Sequence, residues 1–297
     1  MNNRSAANLW IKGQHRLGES ILWHVARQRF FWIDLLDPAL WSCDADGSDC
    51  QGRPLPLPPP IGSIAATTSS RHLILAHRGG LSLLDLDTLD IDPWCDPEQG
   101  RDGIIYNDMK CDRWGRLWVG TSHDRECEPR GALYCVRNRD QWRLADVGFP
   151  ISNGPAFSPD GATMYVNDSF NRQTFAYEIR PDDLKATKRR VFATYTEAEG
   201  MPDGLTVDAE GFIWSAQWGG AAVIRLSPQG DHRAHYSVAA GNVTSQCFGE
   251  TGSSTLRITT ASDGLPAHTL AAYPMTGSLF TLDAPAPGLP EPLFPVE

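Results

Sequence analysis

The sequence predicts an all-β protein, a six-bladed β-propeller with a central channel, and three observations carry that prediction. Its 297 residues include 27 Gly, 22 Pro and 10 Trp, a composition that marks many short strands joined by tight turns. No long stretch places apolar residues at helical spacing. Arg180 to Arg190 comes nearest, and its Pro181 and Lys-rich tail read equally well as a loop between strands. The third observation is internal repetition.

Asp112-Arg-Trp-Gly-Arg-Leu-Trp-Val-Gly120 matches Asp208-Ala-Glu-Gly-Phe-Ile-Trp-Ser-Ala216 and, more loosely, Ser158-Pro-Asp-Gly-Ala-Thr-Met-Tyr-Val-Asn167. Each is a polar turn with Gly feeding a strand that carries an aromatic residue. Weaker copies stand at Arg29 to Asp34, Arg71 to Ala76 and Ser254 to Thr259. Aligned on the strand centre they give Trp32, Leu75, Trp118, Tyr165, Trp214 and Ile258, at intervals of 43, 43, 47, 49 and 44 residues. A further strand follows each centre: Ala39–Cys43, Gly80–Leu84, Gly131–Cys135, Thr174–Glu178, Ala222–Leu226 and Gly277–Thr281. Six units of this size, each a small antiparallel sheet, are the signature of a propeller, taken here as one domain over residues 1–297. The strand near Asn8 to Ile11 is expected to complete the blade formed by the C-terminal segment, protecting an open sheet edge.

Charge and composition narrow the function. Lys plus Arg number 26 against 36 Asp plus Glu, a net charge of −10, so a phosphate backbone is repelled and nucleic acid is not an expected partner. No run approaches the roughly 20 apolar residues of a spanning helix, so no membrane partner is expected. Met1 to Gly13 lacks the basic stretch and apolar core of a secretory signal. Seven Cys, an odd number in no zinc or disulfide spacing, suit reduced thiols in the cytoplasm. A cytoplasmic monomer or weak homo-oligomer acting on a small molecule is the expectation.

The first strand of each blade lines a propeller's channel. Counting five residues back from each turn gives the column Glu19, Gly62, Asn107, Asn153, Asp203 and Val243. Asn-Gly and Asp-Gly are common turn dipeptides, but that explains neither Glu19 nor the shared register. Two carboxylates and two amides converging on an axis repel unless a cation sits between them, and hard oxygen donors suit calcium, magnesium or manganese. An imidazole would extend the choice to zinc or iron, and none falls in this column. Of the eight His, His77 and His123 follow strand ends that could reach the channel mouth. His15, His24, His72, His232, His235 and His268 are expected at the surface. Neither a Gly-x-Ser-x-Gly elbow nor a phosphate loop occurs. The blade-centre Trp residues are read as packing, with Trp218, beside Gly219-Gly220, a possible wall of the site.

Gly18-Glu19-Ser20-Ile-Leu-Trp23, Asn107-Asp108, Ile151-Ser-Asn-Gly154, Gly200-Met-Pro-Asp-Gly204 and Asn242-Val-Thr-Ser-Gln-Cys-Phe-Gly249 resemble, in order, the gluconolactonase/regucalcin (senescence marker protein) family. Ala216 to Gly230 resembles its bacterial sugar-lactonase branch, including xylonolactonase-like members. The resemblance implies one divalent metal (calcium, zinc, manganese, magnesium or iron) held by Glu19, Asn153 and Asp203. Asn107 would sit beside it to bind substrate or water, in a protein that opens aldonolactones to aldonic acids. One departure stands out. The family usually carries Arg two residues before Asn107, where this chain has Ile105 followed by Tyr106. Ile105, Tyr106, Asn107 and His123 are the expected substrate positions, and the sugar is left open. Arg78 and Arg101 in neighbouring loops could supply a cation suited to an acidic or sulfonated sugar. The expected chemistry is a metal polarising the lactone carbonyl with Asp203 as general base. The alternatives are a non-enzymatic metal-binding regulatory propeller, or a metal-dependent esterase or phosphotriesterase on the same fold.

Overall fold

The computed structural model describes residues 6–296, so the reading of Met1 to Gly13 falls partly outside the described residues. Six four-stranded antiparallel sheets form the blades of a propeller. Their first strands are Gly18–His24, Ile61–Ala66, Ile104–Cys111, Ser152–Phe157, Met201–Val207 and Asn242–Phe248, in blades 1 to 6. Five blades are contiguous in sequence. Blade 6 is closed by Asn8–Ile11, which pairs antiparallel with Leu279–Asp283, so both ends of the chain lock one sheet, as the strand near Asn8 suggested.

The repeated turn motif has a physical role. Asp112 accepts hydrogen bonds from the Trp114 and Arg116 backbone N–H groups and from the Trp118 indole at 2.8 Å. Asp208 does the same for Glu210, Phe212 and the Trp214 indole at 3.0 Å. One carboxylate thus closes the turn and orients the aromatic ring six residues later. Trp32, Trp118 and Trp214 are fully buried, packed between sheets as the repeat reading expected.

Each first strand breaks register at one place. The shift lies between Glu19 and Leu22, Ile61 and Ile64, Tyr106 and Met109, Asn153 and Ala156, Pro202 and Leu205, and Val243 and Gln246. A bulge bends its strand and re-aims the side chains beside it. Glu19, Asn107, Asn153 and Asp203 all stand at this irregularity.

Two expectations are corrected and one is resolved. Of the two readings of Arg180 to Arg190 the loop holds for residues 180–185, which join Gln173–Ile179 to an outer strand, Ala186–Thr194. The described residues contain instead one short α-helix, Ala267–Ala272, and one 3-10 turn, Glu197–Glu199, and none of these is long and apolar enough to cross a membrane. His15 and His24 are not at the surface but buried. The His15 ring packs against Trp32 and Trp41 and its Nε2 accepts from the Trp32 indole at 3.1 Å. His24 Nδ1 accepts from the Arg27 N–H at 3.2 Å, and burial lowers its pKa. The His15 ring is taken up by the seam of blade 1, whereas His24 uses Nδ1 on its own turn and its Nε2 is buried without a hydrogen-bond partner.

The segment after the last strand crosses the rear of the propeller. Phe294 is fully buried against blades 2 and 3, its N–H donates to Ala66 O at 2.9 Å, and Glu291 pairs with Lys110 at 3.7 Å.

Candidate metal and substrate site at the open end of the axis

At the opposite end, a cavity of about 330 Å3 opens over the axis, at the small end of the roughly 300–1,000 Å3 of ligand pockets. Glu19, Asn107, Asn153 and Asp203 line its floor, each from a different blade. The wall toward blades 1 and 2 is apolar, with Leu35, Leu36, Pro60 and Ile61, and Ile105 continues it. Asp124, Glu126 and Asp263 give the rim its acidic side.

The floor is tightly braced. Ser20, following Glu19, holds φ at +54°, a left-handed conformation unusual outside glycine. Its N–H donates to the Glu19 carboxylate at 2.8 Å and its hydroxyl shares a 2.7 Å hydrogen bond with Ser63. Asn107 Nδ2 donates to Ser152 O and to Asn153 Oδ1, both at 2.8 Å. Asn153 Nδ2 donates to Ser169 Oγ at 2.8 Å, and that hydroxyl donates to Pro202 O at 2.6 Å. Asn167 Nδ2 holds the Asp203 carbonyl at 2.6 Å. The amides of blades 3 and 4 are thereby tied to the strand that carries Asp203.

The charges are not balanced. Glu19 is raised well above the ordinary carboxylate range, first by burial, then by Asp203 and Asp108. Asp203 is raised likewise, first by burial, then by Asp108 and Glu126. Among the described residues no side-chain cation stands near enough to offset either charge. Buried carboxylates without a partner are costly, and a divalent cation answers that cost. Among the described residues no group of three His, Cys, Asp or Glu side chains could hold a metal by itself. A site here therefore needs the amide oxygens of Asn153 or Asn107 beside Glu19 and Asp203. That all-oxygen set fits a hard cation.

The candidate residues from sequence are placed unevenly. The four axial side chains and Ile105 meet in the cavity, and Trp218 forms part of its wall. Tyr106 borders it, but its hydroxyl donates to Asp96 at 2.7 Å and accepts from the Glu98 N–H at 2.9 Å. Tyr106 therefore offers a ring edge and backbone rather than a free hydroxyl. His123 is buried and does not reach the lining. Its Nδ1 accepts from the Arg125 N–H at 3.3 Å, with Cys127 Sγ 3.6 Å away. His77 is likewise spent on its own turn, through Ser82 at 2.8 Å and the Gly79 N–H at 3.1 Å. Arg101 is held by Glu98 at 2.6 Å and Arg130 O at 3.0 Å, whereas Arg78 lines the cavity.

Sequence reasoning missed Asp108, Glu126 and Asp263. Asp108 is pushed up to about 6, chiefly by burial, and accepts from the Gly154 N–H at 3.1 Å. Strand alternation points it away from the axis if Asn107 points toward it, and it lines the pocket behind the floor, with Ser20 and Ser245, close enough to raise Glu19 and Asp203. Glu126, on the turn after Leu117–His123, is raised by burial and then by Asp263. Glu126 from blade 3 and Asp263 from the opposite blade 6 line one cavity. No local sequence signal announces that reach.

Known proteins match this arrangement along nearly the whole chain. Residues 17–262 match the family described as SMP-30/Gluconolactonase/LRE-like region. A 6-deoxy-6-sulfogluconolactonase of Pseudomonas putida is 33% identical over 94% of each chain. An L-arabinolactonase of Azospirillum brasilense is 31% identical over 92% of this chain and 90% of its own. Among solved structures, the calcium-binding protein regucalcin of Agrobacterium tumefaciens superposes with a TM-score of 0.90 at 27% identity, covering 98% of this chain and 99% of its own. With these axial residues in that order on six blades, the chain belongs to the SMP-30/gluconolactonase/LRE-like family.

Proposed function

We propose that the protein is a metal-dependent sugar lactonase, opening an aldonolactone to its aldonic acid. The observation that carries the reading is the pair Glu19 and Asp203, both buried, both raised and without a side-chain counter-charge, at the floor of a cavity that also holds two amides. The lactonase names borne by similar proteins support it.

Glu19, Asn153 and Asp203 would hold the cation. When bound, it supplies positive charge facing the oxygen of the lactone carbonyl, where negative charge develops. Asp203 takes the proton of the attacking water as that water's oxygen bonds to the carbonyl carbon. When the ring C–O bond breaks, the same proton passes to the departing ring oxygen, leaving a hydroxyl and a carboxylic acid, which carries the water's second hydrogen and loses it to solvent near pH 7. Ligation weakens a carboxylate as a base, but burial and the nearby carboxylates of Asp108 and Glu126 raise its proton affinity. Asn107, with both Nδ2 hydrogens already donated, presents only its Oδ1 and serves as an acceptor for a substrate hydroxyl or the water. The apolar wall excludes competing water.

Hydrolysis of five- and six-carbon aldonolactones near pH 7, with the spontaneous rate subtracted, tests the reading. Activity should vanish with chelator and return with calcium, manganese, magnesium, zinc or iron. Turnover of aryl esters but no lactone would favour the esterase alternative. Cation binding without turnover of either would favour a regulatory propeller.

A further inference from the structure

Arg78 is the one cationic side chain lining the axial cavity among the described residues. It sits in the two-residue turn between His72–His77 and Gly80–Asp85, on the open face of blade 2. His77 pins that turn by accepting the Gly79 N–H at 3.1 Å and bonding Ser82 at 2.8 Å, so the backbone below the guanidinium is fixed.

The guanidinium itself is only loosely paired. Arginines used as counter-ions in this chain make close contacts: Arg225 with Asp208 and Arg116 with Asp112, each at 2.7 Å. Arg78 stands 3.8 Å from Asp124, too far for a hydrogen bond, and its side chain is 40% exposed. Its other surroundings include the apolar wall of Leu36, Pro60, Ile61 and Ile105, which accepts nothing from it. Elsewhere the cavity is rich in acceptors, namely Glu126, Asp263 and Ser169. Sugar hydroxyls donate to such groups. A substituent that brings only acceptor oxygens has one favourable place, and a planar fork of N–H donors beside a low-dielectric wall suits it.

We propose that Arg78 is a specificity-determining residue that binds an anionic substituent, a carboxylate, sulfonate or phosphate, at the end of the substrate remote from the lactone carbonyl. The proposal rests on the lactonase reading and narrows its substrate class to acidic sugar lactones. The guanidinium binds the anion in ground and transition states alike, so its loss is read in KM more than in kcat.

The test compares a neutral six-carbon aldonolactone with its C6-carboxylate and C6-sulfonate counterparts, using the metal-loaded wild type, Arg78→Met and Arg78→Lys. Wild type should favour the anionic lactones at least tenfold in kcat/KM. Arg78→Met should collapse that ratio about 10–100-fold, as expected for a lost charged hydrogen bond, mostly through KM. Arg78→Lys should retain part of the ratio, and 0.5 M salt should reduce the wild-type preference. An unchanged ratio in Arg78→Met, or no anionic preference in wild type, overturns the proposal. If wild type opens no lactone at all, it is the lactonase reading that fails. Calorimetry then decides the Arg78 proposal alone. The C6-sulfonated aldonic acid should bind wild type at least tenfold tighter than Arg78→Met, and equal binding by the two overturns it.

Discussion

Two kinds of buried carboxylate exist in this molecule. Asp112 and Asp208 are fully buried between blades, and each is saturated: turn N–H groups, an indole, and an arginine at 2.7 Å. Glu19 and Asp203 on the axis are nearly as buried, yet the side-chain charges around them are of their own sign. The first pair is stabilising architecture. The second is a buried pair of like charge, which a proton or a bound cation would neutralise. Burial of charge alone does not mark a functional site; burial without a counter-charge does.

Exchanging one group from each pair tests that contrast, and the largest effect belongs to the axis. Asp203→Asn keeps an oxygen near the cation but removes the proton acceptor, so kcat should fall about 10²–10⁴-fold with the melting temperature of the metal-free protein held or raised. Equal kcat at matched metal content would show that Asp203 is not the base. The opposite pattern belongs to Asp208→Ala, which strands Arg225 and the Trp214 indole. Its unfolding free energy should drop by roughly 3–5 kcal/mol, while kcat per folded molecule, measured well below the transition, stays at the wild-type value.

Ser169→Ala is the intermediate case. It removes the hydroxyl that ties Asn153 to the Pro202 carbonyl. Cation affinity should weaken about tenfold, the lower end for groups that orient metal ligands, and calorimetric titration would measure it. The smallest effect is one of pH. Asp108 is raised to about 6 from an ordinary 3.8, so the folded protein holds a proton there that the unfolded chain gives up at lower pH. Between about pH 4 and 6 this makes the chelated protein lose stability as pH rises, with the full penalty present above that window. Asp108→Asn should therefore raise the melting temperature of chelated protein by roughly 2–6 °C at pH 7.5 and by little at pH 4. A shift of equal size at both values would mean that a changed contact, not the charge, is responsible.

Much of the architecture is written locally. Asp112, Gly115 and Trp118, or Asp208, Gly211 and Trp214, encode a turn, its closing carboxylate and the aromatic that fills a blade seam, all within seven residues. Repetition at near-constant intervals therefore reveals the blade count and the channel-facing column. His15 and His24 were misjudged because their burial depends on Trp32, Trp41 and Phe31 on the neighbouring strands, which no local pattern records. His123 is a related case: its position after a strand suggests reach, but the turn at Arg125 captures its ring.

The repeat, the propeller and the residues whose side chains occupy the axial floor can be read from the chain alone, because each follows from hydrogen bonding and alternation within one blade. Only the closed ring places Asp108 behind the axial floor, brings Glu126 and Asp263 from opposite blades to one mouth, and turns Arg78 rather than Arg101 to the cavity. Loops from different blades meet only after the ring has closed. The chemistry at the mouth therefore depends on distances between segments far apart in the chain.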